Sequence, residues 1–363
     1  MKLKTIFGVI FLLQLICFSC LDGDTGFVTE SDNEKLTDLN LETLIVSTNL
    51  PARNNAEMIE FNGQYWFMGG KTPKLGDSTF FNDIWNSTDG VSWTQATNNA
   101  SWSKRGSFNL FVFQNKLWLI GGLDNIQTLN DIWNTIDGIT WERVTEHGPW
   151  QSRSSMAIKV HNDKLYLVGG HTTTNWVLYQ DIWESNDGIN WTEVGEISDD
   201  LLGTTNSNQG IQKHHIIKLE NEYFIICGQL ASSFEPLTSV IKSEDMVNWE
   251  LVTRDTPWKD YANSNVSDLR PFIYKDRIMI VVNSIINSEF KSILYSSING
   301  FEWKKEYEFP SFISDIKYAF LGFLNKPRSL EINNQIYLYG SYESSVIYNV
   351  PDTQTHLIKI IYQ

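Results

Sequence analysis

The chain has 363 residues, with 43 Asp and Glu against 28 Lys and Arg, which gives a formal net charge of −15. A surface of this sign repels phosphate backbones, so the composition argues against a nucleic-acid partner. Aromatic residues make up 13% of the chain and include 14 Trp, which is too much apolar material for a disordered protein.

The first residues predict an export signal. Two lysines precede an apolar run at Thr5–Phe18, which is too short to span a membrane comfortably. The run ends at Ser19 followed by Cys20, and this arrangement resembles bacterial lipoprotein signals, in which the cysteine carries lipid after cleavage. We therefore expect a signal peptide at 1–19 and lipidation of Cys20, with an ordinary secretory signal as the alternative.

Residues 20–42 are predicted to be a solvated tether. Between Leu21 and Glu42 the chain holds seven acids and one lysine, a composition that cannot bury itself. An acidic stretch after a lipid cysteine resembles the surface-export signal of Bacteroidetes lipoproteins, although a plain linker is compatible with it. This resemblance implies secretion across the inner membrane and a lipid anchor at the outer membrane or cell surface. Cys227 would be the one cysteine left unmodified after cleavage, so no intrachain disulfide is expected.

The rest of the chain is built from a repeat. The phrase "NDIWNSTDGVSW" at 82–93 returns in related form at 130–141 and 180–191. Its final residue recurs at intervals of 48, 50, 58 and 54 residues, at Trp93, Trp141, Trp191, Trp249 and Trp303. An apolar run that ends in a glycine pair, or in an altered copy of one, precedes each of these five Trp and occurs once more after the last. These runs end at Gly70, Gly122, Gly170, Gly228, Asn283 and Ser341. At this period the stretch 43–363 accommodates six units.

Each unit contains four short β-rich runs separated by turn residues. Asp-Gly between two such runs predicts a tight hairpin, and we expect a type I′ turn with positive φ at both central positions. These pairs are Asp89-Gly90, Asp137-Gly138 and Asp187-Gly188. Because Asp and Gly serve the turn and Trp is suited to packing between sheets, we interpret the repeated phrase as a structural part.

Antiparallel four-stranded units in an array of six resemble a β-propeller of the Kelch or galactose-oxidase central-domain kind. The glycine pair and the Trp that opens the fourth strand carry the resemblance, and the Ser-x-Asp-Gly-x-x-Trp segment resembles the Asp box of sialidase-type propellers. The resemblance implies an all-β, six-bladed fold over 43–363. Thr43–Thr48 matches a fourth strand without its blade, and the chain ends after what looks like a third strand, "THLIKIIYQ". We therefore expect the N-terminal strand to complete the last blade and hide two open edges.

A polar cluster is predicted at one mouth of the channel. Sixteen residues before the first Gly of each pair stand Arg53, Arg105 and Arg153. First strands line a propeller's axis, and in Kelch domains an arginine here often binds ligands. The resemblance therefore implies ligand binding by these arginines, with Lys213, Arg270 and Arg328 at the edge of the site. The alternative is that the arginines brace neighbouring loops by hydrogen bonds.

Three tryptophans near these positions are further candidates for ligand binding. Trp102, Trp150 and Trp258 would suit stacking on a sugar, but a large apolar side chain is more often packed, here at a blade junction. No metal or cofactor is expected, because His214 and His215 are adjacent on a strand and so point to opposite faces. Cys227 lies in an apolar run and is expected to be a buried structural thiol.

Two functions remain open at this stage. One is a lipid-anchored, monomeric recognition module that binds a glycan or an extracellular protein at the channel mouth. The other is an enzyme acting on an acidic sugar, similar to Kelch-type sialic acid mutarotases or Asp-box sialidases. The fold does not decide between them. We favour binding because no catalytic acid–base group can be assembled from the sequence.

Overall fold

The computed structural model describes ten segments of the chain. They are residues 41–51, 53–72, 79–203, 210–230, 237–259, 271–286, 289–308, 328–332, 335–340 and 354–362. The signal peptide, Cys20 and the tether predicted at 20–42 lie outside the described residues, apart from the start of the first strand. Within the described segments no helix has the length and apolar character needed to cross a membrane.

The fold is an all-β propeller, as predicted, but five blades are found where six were predicted. Each of the five is a four-stranded antiparallel sheet in chain order. Blade 1 contains β2 (Glu57–Phe61), β3 (Gln64–Met68), β4 (Ile84–Ser87) and β5 (Thr94–Thr97). Blade 2 contains β6 (Asn109–Phe113), β7 (Lys116–Leu123), β8 (Thr128–Thr135) and β9 (Glu142–Thr145). Blade 3 contains β10 (Ala157–His161), β11 (Lys164–Thr172), β12 (Val177–Ser185) and β13 (Thr192–Glu196).

Blades 4 and 5 follow the same plan with short additions. The four-residue helix α1 (Asp199–Leu202) precedes blade 4, and β14 (Ile211–Gln212) pairs with β17 (Gln229–Leu230) beside it. Blade 4 contains β15 (His215–Leu219), β16 (Glu222–Ile226), β18 (Val240–Ser243) and β19 (Glu250–Thr253). Blade 5 contains β20 (Phe272–Tyr274), β21 (Arg277–Ile286), β22 (Glu289–Ser297) and β23 (Lys304–Glu308).

The remaining strands form one further four-stranded sheet from both ends of the chain. Its strands are β1 (Leu41–Pro51), β24 (Arg328–Ile332), β25 (Gln335–Gly340) and β26 (Gln354–Tyr362). Their order is β1-β26-β25-β24, with β1 antiparallel to β26 from Leu41↔Tyr362 to Ser47↔His356.

The Asp-Gly hairpins form where they were predicted, but their turns are not type I′. Gly138 has a positive φ of 79°, but the φ of Asp137 is not positive, and a type I′ turn needs a positive φ at both residues. The Asp137 carboxylate instead accepts the backbone N–H groups of Ile139 and Thr140 at 2.8 and 2.7 Å. The Thr135 hydroxyl accepts those of Asp137 and Gly138 at 3.2 and 3.0 Å. The turn is therefore a longer, side-chain-capped loop.

The hydrophobic core lies between successive blades. Trp141 packs edge-on against Trp102 at 6.3 Å between ring centroids, and Trp191 packs in the same way against Trp150 at 4.9 Å. All four of these side chains are buried. The interpretation of the repeated Trp as a packing residue therefore agrees with the structure at these junctions.

Candidate functional site in the central channel

Each in-register arginine is paired with an aspartate of its own blade. Arg105 donates to both carboxylate oxygens of Asp131 at 2.6 and 2.7 Å, and Arg153 does the same with Asp181 at 2.5 and 2.9 Å. Arg53 makes the equivalent pair with Asp83 at 3.1 and 2.9 Å. These aspartates are the second residue of the repeated phrase and also accept the indole N–H of a tryptophan two residues later, at 2.7 to 2.9 Å.

The glycine pair completes this arrangement. The carbonyl oxygen of Gly121 accepts the guanidinium of Arg105 at 3.0 Å, and the N–H of Gly122 donates to the carbonyl of Arg153 in the next blade at 3.1 Å. Gly121 has a φ of 63°, and a Cβ there would lie 2.9 Å from the carbonyl oxygen of Arg153. We call the arginine, its aspartate and the glycine pair the arginine clamp; it joins the strands of one blade and reaches the next.

The clamp uses the whole hydrogen-bonding capacity of Arg105. A guanidinium has five N–H groups, and those of Arg105 go to the carbonyl and hydroxyl of Ser103, the carbonyl of Gly121 and both oxygens of Asp131. The side chain is 1% exposed. Burial lowers the pKa of Arg53, and the charge and hydrogen bonds of Asp83 offset part of that effect.

This geometry is the bracing arrangement that stood as the alternative to ligand binding by Arg53, Arg105 and Arg153. The aspartates were not predicted from the sequence, because the repeated phrase was assigned to the Asp-Gly turn alone. Their signal was present, since an aspartate stands in the phrase of each unit that carries the arginine.

The three candidate tryptophans offer no exposed face. Trp102, Trp150 and Trp258 are 1%, 2% and 0% exposed. Trp258 packs edge-on against Trp303 at 5.0 Å, which repeats the arrangement at the earlier blade junctions. The expectation that they stack on a ligand is therefore corrected to the packing alternative, because a ring enclosed on both faces cannot contact a sugar.

The remaining predicted site residues are distributed differently. Lys213 lies at the channel, whereas Arg270 falls outside the described residues. Arg328 begins β24, where the structure describes the backbone alone. Of the six predicted basic residues, Lys213 is the one that lines the cavity described below, and ligand binding by it stays a prediction.

The mouth of the channel is ordered by a chain of backbone hydrogen bonds. Ser107 donates its N–H to the carbonyl of Asn55 at 3.0 Å, Ser155 to that of Ser107 at 3.1 Å, and Lys213 to that of Ser155 at 2.9 Å. All four residues have left-handed backbone, with φ between 53° and 59°. We call these four residues the channel rim. An unfavourable conformation at equivalent sites of four blades indicates that tertiary contacts enforce it.

A cavity of about 130 Å³ lies beneath the rim. It is lined by residues that begin the innermost strands of blades 1 to 4. Its polar lining comprises Glu57, Ser107, Asn109, Ser155, Lys213 and the histidines 214 and 215.

His214 is a polar residue in the lining of this cavity whose ring has no hydrogen-bond partner among the described residues. It is 2% exposed, and among the described residues neither ring nitrogen has a hydrogen-bond partner. Full burial lowers the pKa of His214 to about 3, so the ring is neutral at pH 7 and can donate from one nitrogen and accept at the other. From the sequence His214 was considered only as a poor metal ligand. Its signal was register, since blades 1 to 3 carry Ala56, Phe108 and Met156 at this position.

Other chemistry is sparse in the described part of the chain. No group of three or more His, Cys, Asp or Glu residues there is arranged to hold a metal ion. Cys227 is a fully buried free thiol, as predicted, and burial raises its pKa well above the usual value.

Comparison with known proteins identifies the fold and nothing finer. No family model matches the sequence, and no curated protein is significantly similar to it. Among solved structures the chain is similar to one titled "Structure of YjhT", with a TM-score of 0.60 and 12% sequence identity over 86% of this chain and 95% of that one. At this identity the similarity establishes a shared propeller fold.

Proposed function

We propose that the protein is a recognition module that binds a small polar part of a glycan or of an extracellular protein in its channel cavity. The observation that carries the proposal is the mostly polar cavity, whose lining includes buried His214 without a hydrogen-bond partner among the described residues. A buried polar group without a hydrogen bond costs roughly 1–3 kcal/mol. A ligand group that satisfied it would recover that cost on binding.

The enzyme alternative gains no support from this geometry. An enzyme acting on an acidic sugar needs cationic groups that face the carboxylate, and the guanidinium groups of Arg53, Arg105 and Arg153 are engaged by aspartates. The cavity does offer Lys213 and Glu57, but a cation and a carboxylate together suit a polar ligand without a large net charge.

We further propose that the sheet β1-β26-β25-β24 is a sixth blade of Kelch-like type, closed by the N-terminal strand. The antiparallel pairing of β1 with β26 supports this assignment, because it joins the two ends of the chain as ring closure requires. Deleting residues 21–50 should then lower the melting temperature, whereas deleting 21–40 should leave it unchanged. Equal melting of the two truncations would exclude the closure.

The same proposal places the propeller on a lipid anchor at the outer membrane or cell surface. Its support is the sequence alone: the apolar run that ends at Ser19-Cys20 and the acidic tether that follows. Metabolic labelling with a fatty-acid analogue should mark the wild-type protein and not Cys20→Ala. Labelling of both would remove the anchor from the proposal.

The binding test compares two lysines, one just before the start of β15 and one within that strand. Lys213→Ala removes a cation that lines the cavity, and Lys218→Ala removes an exposed one from β15. On a glycan array and a panel of extracellular proteins, Lys213→Ala and His215→Ala should weaken binding of any hit by roughly tenfold or more. Lys218→Ala should not. Hits that all three variants bind like the wild type would show that the cavity is not the site.

A further inference from the structure

The inner strand of blade 3 carries a lysine where other blades carry apolar side chains. Lys159 is the third residue of β10, and the third residues of the inner strands of blades 1, 2 and 4 are Ile59, Phe111 and Ile217. Lys159 is itself partly buried. Because an ammonium group loses hydration when it is buried, this departure from the repeat costs stability unless the charge is paired. A costly departure of this kind points to a function for the side chain.

Lys159 projects into the interface between blades 3 and 4. Residues directly opposite each other on neighbouring strands project to the same face of a sheet. Lys159 is opposite Tyr166, whose buried ring belongs to a core cluster that also contains Tyr223 of blade 4. Lys218 is opposite Tyr223, and its Nζ lies over the Tyr223 ring at 5.3 Å from the centroid. The two lysines therefore project from neighbouring blades into one interface.

Neither lysine is paired with a carboxylate in the part of the chain that the structure describes. The carboxylate beside Tyr166 is that of Glu184, opposite it in β12, and it accepts hydrogen bonds from Lys164 and from the Tyr166 hydroxyl, each at 3.1 Å. Desolvation lowers the pKa of Lys159, and the positive charge of Lys218 lowers it further. Lys159 is therefore uncharged for a larger fraction of the time than an exposed lysine, and the uncharged amine is a nucleophile.

A histidine and a tyrosine on the same interface form a hydrogen-bonded pair. His161 is two residues after Lys159 on β10, so the two side chains share one face of the strand. His161 Nδ1 lies 3.0 Å from the Tyr223 hydroxyl, and the two rings pack edge-on at 5.1 Å between centroids. The equivalent residues of blades 1, 2 and 4 are Phe61, Phe113 and Leu219. An imidazole bound to a phenol can supply or accept a proton next to the amine.

We propose that Lys159 is the nucleophile of a covalent site for the carbonyl group of a small aldehyde or ketone. The amine nitrogen adds to the carbonyl carbon, and a proton moves from nitrogen to oxygen to give a carbinolamine. His161, bound to Tyr223, donates the proton with which the hydroxyl leaves as water, and the remaining N–H proton replaces it as the imine forms. Lys218 is a positioning residue that acts through its charge on Lys159. The site goes beyond the proposed binding in the channel cavity and does not depend on it.

The first test traps the imine in the full-length protein. Acetone and sodium cyanoborohydride are added at pH 7, the hydride reduces the imine to a stable secondary amine, and peptide mass spectrometry locates it. Lys159 should be labelled roughly tenfold or more faster than exposed Lys104, because a pKa lower by one unit gives about ten times more uncharged amine. Labelling of Lys159 no faster than that of Lys104 would overturn the proposal.

The second test asks whether the neighbouring charge activates the amine. In Lys218→Met the midpoint of the pH profile for Lys159 labelling should rise, and labelling at pH 7 should slow by several-fold. Lys242→Met is the matched control on the same blade, because Lys242 is paired with Glu222 at 2.7 Å and with Glu250 at 3.2 Å. A profile that shifts equally in both variants, or in neither, would contradict the assigned role of the interface.

The third test separates proton transfer from activation of the amine. His161→Phe copies blades 1 and 2, so it should slow trapping of acetone while the midpoint for acylation of Lys159 by acetic anhydride stays in place. Equal trapping in wild type and variant would exclude His161 from the reaction. Lys159→Met removes an unpaired charge and should keep or raise the melting temperature. A marked fall would show that the fold itself uses the ammonium group, and it would overturn the proposal.

Discussion

Blades 2 and 4 are equivalent units of the repeat, but they stabilise the left-handed position near the end of their second strand differently. Blade 2 uses charged side chains there and blade 4 uses uncharged ones. Blade 2 uses the clamp, with a charged pair buried against a glycine. Blade 4 has an apolar or uncharged side chain at each equivalent position, and all three are fully buried. The corresponding residues are Arg105, Gly121 and Asp131 in blade 2, and Ile211, Cys227 and Ser239 in blade 4.

All members of the clamp are therefore replaced together in blade 4. A buried arginine without its aspartate leaves an uncompensated charge, which costs far more than exchanging both for apolar groups. What blade 4 retains is the backbone conformation, since Cys227 has a φ of 62° where Gly121 has 63°. The fold therefore requires left-handed backbone at this position, and the arginine–aspartate pair is one of two ways in which the blades stabilise it.

Removing the arginine alone should have the largest effect. Arg105→Ala leaves the carboxylate of Asp131, 15% exposed, without its cation, so the free energy of unfolding should fall by about 3–5 kcal/mol. Urea unfolding followed by tryptophan fluorescence measures it. The control is Arg143→Ala, whose exposed pair with Glu146 is worth less than about 1 kcal/mol.

A double variant sharpens the same comparison. Arg105→Ile with Asp131→Ser copies blade 4 into blade 2 and buries no unpaired charge, so it should be more stable than Arg105→Ala. The Trp133 indole would still lose its acceptor, so recovery should be partial. A double variant that is no more stable than the single one would show that the pair is not coupled.

The glycine of blade 2 and the cysteine of blade 4 should respond unequally to alanine. In Gly121→Ala the new Cβ meets Met156 Cε at 2.7 Å and the Arg153 carbonyl at 2.9 Å, in left-handed backbone. We expect a loss of about 2–3 kcal/mol. Cys227→Ala keeps the Cβ already present and loses only the sulfur, so about 1 kcal/mol is expected. Thermal melting of both variants compares them, and equal losses would contradict the proposed role of close packing at Gly121.

The smallest effect should come from the Asp-capped turn that both blades share. Partial burial raises the pKa of Asp137, but hydrogen bonds from Thr140, Ile139 and Thr135 outweigh it and lower the pKa to about 2. The same pattern lowers that of Asp245 to about 2. A depressed folded-state pKa adds stability above the unfolded value near 3.9, and this is lost as the pH falls toward about 2.

Asp137→Asn and Asp245→Asn should therefore cost less than about 1 kcal/mol each at pH 6, because exposed groups are screened, and most of that cost should be lost at pH 2. Blade 5 already carries the neutral form, since Asn299 accepts the N–H groups of Phe301 and Glu302 at 2.9 and 3.0 Å. Denaturant midpoints measured from pH 6 to pH 2 test this. A difference that persists at pH 2 would indicate a steric cause.

The propeller could be predicted from sequence because its signals are local and repeated. Apolar runs, turn pairs and the recurring Trp each depend on neighbours within a few residues. With five copies, the pattern can be recognised even though some units match it poorly. The resemblance of the repeat to Kelch domains likewise led to the prediction that Lys213 lies at the channel mouth.

The role of the arginines depended on distant partners. Arg105 and Asp131 are 26 residues apart, and periodicity alone does not show that the two side chains meet. An arginine at this register position gives the same sequence signal whether its side chain contacts a ligand or a carboxylate. Only the identity of the partner distinguishes the two roles. His214 was weighed only as a metal ligand for the opposite reason, because it departs from the repeat and a search for repeats gives little weight to such a residue.

The rim hydrogen bonds all run in one direction around the channel, from each unit's N–H to the carbonyl of the unit before it. Such a contact joins two different surfaces head to tail, so each unit carries one copy of both. A duplicated gene segment would enter this series with a donor and an acceptor already matched to its neighbours. The rim chemistry therefore tolerates growth by tandem duplication, and the side chains that diverge afterwards, such as His214 beneath the rim, can be altered without disturbing the link itself.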